Sequence, residues 1–281
     1  MAKPDRSAPI GIFDSGVGGL SVLKAIRQQV PDETLIYLAD QAHVPYGPRP
    51  LEDVRAFAVS ITRHLLTQGA KIIVVACNAA SAAALQVLRQ TFPDVPFVGM
   101  EPAVKPAAER TQSGVVGVLA TPATFQGALY ASVVERFAQE VTLLQHTCPG
   151  LVAQIEAGQL DAPQTRRILE DAILPMLSLG IDTVVLGCTH YPFVIPLIEN
   201  IAGPGVRVVD PAPAVARQVG RVLEARGLLR GSELPGKRIH FFTTGDAGRL
   251  QSLLPQLIGE HGAVSCLEWA GDQLRLPPKA I

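Results

Sequence analysis

Short runs of β-branched and aliphatic residues alternate along the chain with longer stretches of mixed character. The runs at 10–13, 35–39, 72–76, 97–99, 115–120, 141–145, 183–187, 206–209 and 239–243 read as strands, being brief, apolar and bounded by turn-forming residues. The stretches at 21–29, 51–68, 81–91, 125–138, 162–178 and 212–225 read as helices. In the last two, apolar residues recur at three- and four-residue spacing, the mark of one buried helical face. Strands that alternate with helices predict an α/β fold with mainly parallel sheets.

The pattern starts twice. APIGIFDSGVGGLSVLKAI near the beginning and SGVVGVLATPATFQGALYASVV from residue 113 share one layout of strand, small polar turn and helix. Each start is followed by a later strand that ends in cysteine. This predicts two similar doubly wound domains related by pseudo-two-fold symmetry. One spans 99–208; the other combines 1–98 with 209–281. A site in the cleft between them, outside the carboxyl ends of the strands, follows from that architecture.

Composition narrows the classes. The chain has 281 residues, 48% of them hydrophobic and 17% charged, as expected of a packed globular protein. Its 24 Lys and Arg against 25 Asp and Glu leave no basic footprint for nucleic acid. No apolar run reaches the roughly 18 residues of a membrane span, and no signal-peptide core precedes the first strand. Four scattered cysteines (Cys77, Cys148, Cys188 and Cys266) do not make a disulfide framework, so free thiols in a reducing cytoplasm are expected.

Two of those cysteines carry the chemistry. Cys77 closes KIIVVAC and Cys188 closes IDTVVLGC, 111 residues apart and each at a strand end before a helix. Two thiols facing one carbon from opposite sides are what inversion of a stereocentre needs. A helix N-terminus favours the thiolate, so lowered thiol pKa values are expected. His190 reads as an acid–base or hydrogen-bonding partner of Cys188; a zinc site would need more ligands than Cys-x-His supplies. Cys148 and Cys266 read as structural.

Further candidates lie at the other strand ends. Asp14-Ser15-Gly16-Val17-Gly18-Gly19 reads as a tight turn holding a small anion on its N–H groups and the Ser15 hydroxyl, with Asp14 facing a thiol. Its rival is a dinucleotide fingerprint with Asp40 as the ribose acid, although Ser21 replaces the third glycine. Pro45-Tyr46-Gly47 forms a rigid loop that either turns the chain or touches substrate. Thr121 and Thr124 offer hydrogen bonds to a carboxylate, or Thr124 caps a helix. The stretch 241–246 ends the last long strand at the cleft rim or in the core.

Taken together, GIFDSGVGGLSVL, YLADQAHVPYG, VVACNAASA, LATPAT, CPGLVAQIEAG, VVLGCTHYPF and FFTTGD resemble the bacterial glutamate racemase family, in its order, over residues 11–246. The resemblance implies cofactor-independent interconversion of L- and D-glutamate, supplying D-glutamate for peptidoglycan. It implies no metal and glutamate as the partner molecule, and it allows a homodimer without requiring one. By position, Cys77 and Cys188 would be the proton donor and acceptor. Asp14, Ser15, Tyr46, Gly47, Asn78, Thr189 and His190 would contact substrate or tune the thiols, with Glu156 an acidic residue near the second thiol. One departure stands out: Ala79 follows the Cys-Asn pair where the family usually has Thr or Ser. An aspartate racemase, a Cys–His thiol hydrolase and a hinged binding protein are the other readings.

Overall fold

The computed structural model describes residues 5–231 and 238–277. The first half runs β1 (Ile10–Asp14), α1 (Leu20–Gln29), β2 (Leu35–Ala39), α2 (Leu51–Thr67), β3 (Ile72–Val75), α3 (Asn78–Thr91) and β4 (Phe97–Gly99). The second runs α4 (Val104–Ala108), β5 (Val115–Ala120), α5 (Pro122–Gln126), α6 (Ala128–Phe137), β6 (Thr142–His146), α7 (Leu151–Glu156), α8 (Pro163–Ser178) and β7 (Thr183–Gly187). It ends with a 3-10 turn (Tyr191–Val194), α9 (Ile195–Ala202) and β8 (Arg207–Val209). The chain then adds α10 (Ala212–Ala225), β9 (Ile239–Thr243), α11 (Ala247–Ile258), β10 (Val264–Cys266), β11 (Glu268–Ala270) and β12 (Gln273–Arg275).

Two parallel sheets result. The first has the order β10-β9-β2-β1-β3-β4 and the second β6-β5-β7-β8. The stretch β2-β1-β3-β4 repeats the order of the whole second sheet, so the doubled start in the sequence is a doubled topology. β9 and β10 extend the first sheet alone, and β11 and β12 form a separate antiparallel hairpin.

Period-two alternation sorts the strand side chains between two helical layers. Ile10 and Ile12 of β1 join one core with Leu23 of α1, Val219 of α10 and Leu254 of α11. Phe13 points the other way and packs with Ile61 of α2 and Leu88 of α3. In α10 the buried set Ala212, Val215, Ala216, Val219 and Leu223 follows the predicted helical spacing. Burying each of the Val and Leu side chains among them contributes about 1.5–3 kcal/mol.

Three local expectations change. α3 starts at Asn78, three residues earlier than the periodicity suggests, because Cys77 rather than a later polar residue caps it. The single helix expected over 125–138 is two, parted at Gly127 in extended conformation. A β-carbon on Gly127 would lie 2.6 Å from that of Ala82, so close packing on α3 decides the break. Thr124 sits inside α5 and is therefore not its cap.

In each half the sheet order reverses between the first and third strands, and the crevice outside their carboxyl ends is the natural ligand position. The loops leaving β1, β3, β5 and β7 all open there. Among the described residues no helix is long and apolar enough to cross a membrane.

Candidate active site

Those four loops, with the loop after β2, enclose a narrow cavity of about 20 Å³. The first half contributes Ser15, Pro45, Tyr46, Gly47, Cys77, Asn78 and Ala79 to its wall. The second contributes Thr121, Cys188, Thr189 and His190. Val152 of α7 also lines it; being an apolar residue in an ordinary helical pattern, it gives no sequence signal. Asp14 and Glu156 stand one layer behind the wall. Thr124 is off the cavity, its hydroxyl turned to Thr121 and the Gly187 carbonyl.

Cys77 is buried and extended at the N-terminus of α3, where its sulfur accepts the Ala80 N–H at 3.4 Å. The local geometry is therefore the one that lowers a thiol pKa. The outcome is the reverse: burial pushes the Cys77 thiol well up, and the neighbouring Asp14 charge adds to it. Desolvation and a like charge together outweigh one N–H group and the helix dipole. Burial also raises Asp14, against the opposing pull of His190. Asp14 Oδ2 accepts from the Gly19 N–H at 2.7 Å and the Thr189 hydroxyl at 3.4 Å. Asn78 is buried beside Cys77, with neither its amide oxygen nor its nitrogen hydrogen-bonded among the described residues. A buried amide with both ends unpaired is costly, unless a polar ligand pairs it.

On the opposite wall Cys188 Sγ faces His190 Nδ1 at 3.7 Å, and His190 Nε2 meets Glu156 Oε1 at 2.7 Å. All three are buried. Burial works against a charged imidazole, yet the bonds to Cys188 and Glu156 raise His190 well above its ordinary value. Glu156 is lowered despite its burial, because His190, Gln41 and the Val17 N–H all donate to it. With both ring nitrogens engaged inside the protein, His190 has none left for a metal. Among the described residues no group of three or more His, Cys, Asp or Glu stands where it could hold one.

The glycine turn after β1 serves this arrangement. Val17 N–H donates to Glu156 Oε1 at 2.7 Å. A β-carbon on Gly16 would collide with the Glu156 carboxylate, and one on Gly18 with the His190 ring. The anion held by the turn is thus the protein's own carboxylate, and the space a pyrophosphate would need is filled. Asp40 is also occupied: it accepts from Tyr46 at 2.6 Å, Thr244 at 2.7 Å and Trp269 Nε1 at 2.8 Å. Asp40 thereby fastens the Pro45-Tyr46-Gly47 loop against the C-terminal segment. The dinucleotide reading has no site left.

Comparison with known proteins identifies the family. The profile of the Asp/Glu/Hydantoin racemase family matches residues 10–219. The glutamate racemase of Ectopseudomonas mendocina (strain ymp) is 51% identical over 257 residues, 92% of this chain and 97% of that protein. That of Roseiflexus sp. (strain RS-1) is 52% identical over 254 residues, 90% of this chain and 93% of that protein. The chain belongs to the glutamate racemase family. The crystal structure of the Escherichia coli glutamate racemase has the same fold, with a TM-score of 0.83 at 32% identity, covering 94% of this chain and all of that one. In this glutamate racemase family member Ala79 lines the cavity with a methyl group, where the resemblance leads one to expect a hydroxyl.

Proposed function

We propose that the chain racemises glutamate, with Cys77 and Cys188 as the two acid–base groups on opposite sides of the α-carbon. The observation that carries this reading is the shared cavity: two buried thiols, one from each topologically equivalent half, each backed by its own ionisable partner. The E. coli relative was crystallised in complex with L-glutamate, which supports glutamate as the substrate here.

In one direction a thiolate takes the α-proton, leaving a carbanion-like centre, and the opposite thiol delivers its proton to the other face. The two sulfurs end with their protonation states exchanged, and the reverse reaction restores them. Asp14 takes and returns the Cys77 proton, and its raised pKa suits a base that must also release it. His190, held by Glu156, does the same for Cys188. The substrate carboxylate needs fixed donors as charge develops; Asn78, Ser15, Thr121 and Thr189 line the wall with that capacity. Exclusion of water strengthens these contacts and limits proton loss. This chemistry needs no cofactor, and in a bacterial cell it belongs in the cytoplasm, where D-glutamate enters peptidoglycan precursors.

Incubation in deuterated water tests the reading. Wild-type protein should invert glutamate while exchanging its α-hydrogen, and Cys77→Ala and Cys188→Ala should each lose inversion by at least about a thousandfold. Either variant should still eliminate HX from a β-substituted analogue, which needs only one proton transfer. Inversion by either single variant at the wild-type rate would overturn the two-thiol scheme. A Cys188–His190 hydrolase, by contrast, would tolerate loss of Cys77.

A further inference from the structure

Glu156 belongs to the second half, yet most of what holds its carboxylate belongs to the first. Oε1 takes the Val17 N–H at 2.7 Å and Oε2 takes Gln41 Nε2 at 2.9 Å. Gln41 lies just after β2, and its amide oxygen accepts the hydroxyl of Thr243, at the end of β9, at 2.8 Å. The Thr243 oxygen in turn accepts the Gly245 N–H at 3.0 Å. The chain is directional, because every donor in it has one acceptor. Turning the Gln41 amide over would set its oxygen against the Glu156 carboxylate, two acceptors facing each other in a partly buried site. The carboxylate therefore sets which way the Gln41 amide faces, and the Thr243 hydroxyl holds it there by donating to the amide oxygen on the other side.

We infer that Gln41 and Thr243 are positioning residues for the Cys188 side of the reaction, fixing the Glu156 carboxylate that orients His190. This gives a role to the Phe242-Thr243-Thr244-Gly245 stretch, which its sequence setting leaves unassigned. It rests on the assignment of Cys188, His190 and Glu156 made above. Neither residue lines the cavity, so each would act through Glu156.

The consequence is a shift in pH dependence. Glu156 is kept ionised by its donors, and losing one makes it easier to protonate. Protonated Glu156 loses its charge-assisted hold on His190, so activity should fail at a higher pH as the solution is acidified. The other groups around Glu156 are His190 and Cys188 from the loop after β7, Asp14 at the end of β1, Tyr37 of β2 and Arg249 of α11. Neither substitution below alters any of these.

Gln41→Leu should lower kcat/KM for glutamate about tenfold, the effect of removing one hydrogen bond to a charged group, and Thr243→Val should lower it roughly threefold, since it removes a neutral bond that acts through Gln41. Both should also move the acid limb of the kcat/KM profile to higher pH, with Tm within a few degrees of wild type. Thr243→Ser, which keeps the hydroxyl, should restore the wild-type profile. Glu156→Gln is the reference. If it distorts the acid limb while Gln41→Leu and Thr243→Val leave the limb in place, the inference is wrong and the Glu156 assignment stands. If Glu156→Gln itself leaves the limb unchanged, the assignment fails and the inference falls with it. Equal loss in Thr243→Val and Thr243→Ser also overturns it, since the hydroxyl then has no part.

Discussion

At the scale of single residues, the site is set by what is missing from side chains as much as by what is present. Gly16 and Gly18 let the second half bring Glu156 and His190 against the backbone of the turn after β1. A methyl group at Gly16 would occupy the position of Glu156 Oε1, so the carboxylate must withdraw and His190 loses its partner. Gly16→Ala should therefore lower kcat/KM by at least about tenfold, as expected for a lost bond to a charged group, while the sheet-centred folding transition survives. Circular dichroism and steady-state kinetics on one preparation check this. Full activity in a folded Gly16→Ala protein would mean that Glu156 does not need its place beneath His190. The Cys77 thiol teaches the companion lesson. A local rule, the helix N-terminus, is overruled by burial and by Asp14, a carboxylate distant in sequence.

At the scale of elements, the two ends of each sheet do different work. The carboxyl ends carry the thiols. At the amino ends, side chains tie the starts of strands together: Lys71, before β3, bonds Glu33, before β2, at 2.6 Å, with β1 between the two strands. In the second half Asp182, before β7, accepts from Thr111 at 2.7 Å and from the Ser113 N–H at 2.9 Å, fixing the turn into β5. Partial burial would raise the Asp182 carboxyl, but these donors hold it down to about 2 against an ordinary 3.8. A depressed carboxyl contributes stability that is present above the unfolded value and lost as pH falls through the folded one. Asp182→Ala should thus cost about 1 kcal/mol near neutrality, after solvent screening, and lower Tm by roughly 2 °C. It should cost nothing below about pH 2, and kcat should not change. Thermal melts across pH would expose an error if the difference persisted in strong acid.

The same division explains what could be read from the chain. The long parallel strands announce themselves, because residues covered on both faces must be apolar throughout. The doubled order β2-β1-β3-β4 and β6-β5-β7-β8 shows as a repeated layout of strand and turn. By contrast β10, β11 and β12 have three residues each and carry Ser265, Glu268 and Gln273, too few and too polar for a periodic signal. The break at Gly127 depends on Ala82, and the place of Gln41 on Thr243; both are tertiary facts. Cys77, Cys188 and His190 stood out because their chemistry is rare. Asp40 stood out for the wrong reason, since its partners Thr244 and Trp269 lie more than two hundred residues away.

At the scale of the whole molecule, the halves are joined across the cavity by bonds that a substrate must displace or bypass. Val17 N–H meets Glu156, Ala123 N–H meets the Gly47 carbonyl at 3.1 Å, and the Ser21 hydroxyl meets the Thr189 carbonyl at 3.0 Å. The wall itself is shut: Cys77 is 5% exposed, Cys188 6% and His190 2%. A glutamate molecule can reach both sulfurs only if the halves part, and the proton transfers need them together again. Parting breaks the Val17 and Ala123 bonds but leaves the ladders inside β1 and β5 intact. The amide hydrogens of Val17 and Ala123 should therefore exchange through a partial opening, faster than those of Ile12 and Val118. Ligand that binds only the closed form resists that opening. At glutamate one hundred times its Kd the added stability is about 2.7 kcal/mol, which slows exchange at Val17 and Ala123 roughly a hundredfold. Amides within the ladders report global unfolding instead, and should keep their rank as the slowest in the chain. If Val17 and Ala123 exchange as slowly as Ile12 without ligand, the cleft does not open ahead of unfolding, and entry must follow another route.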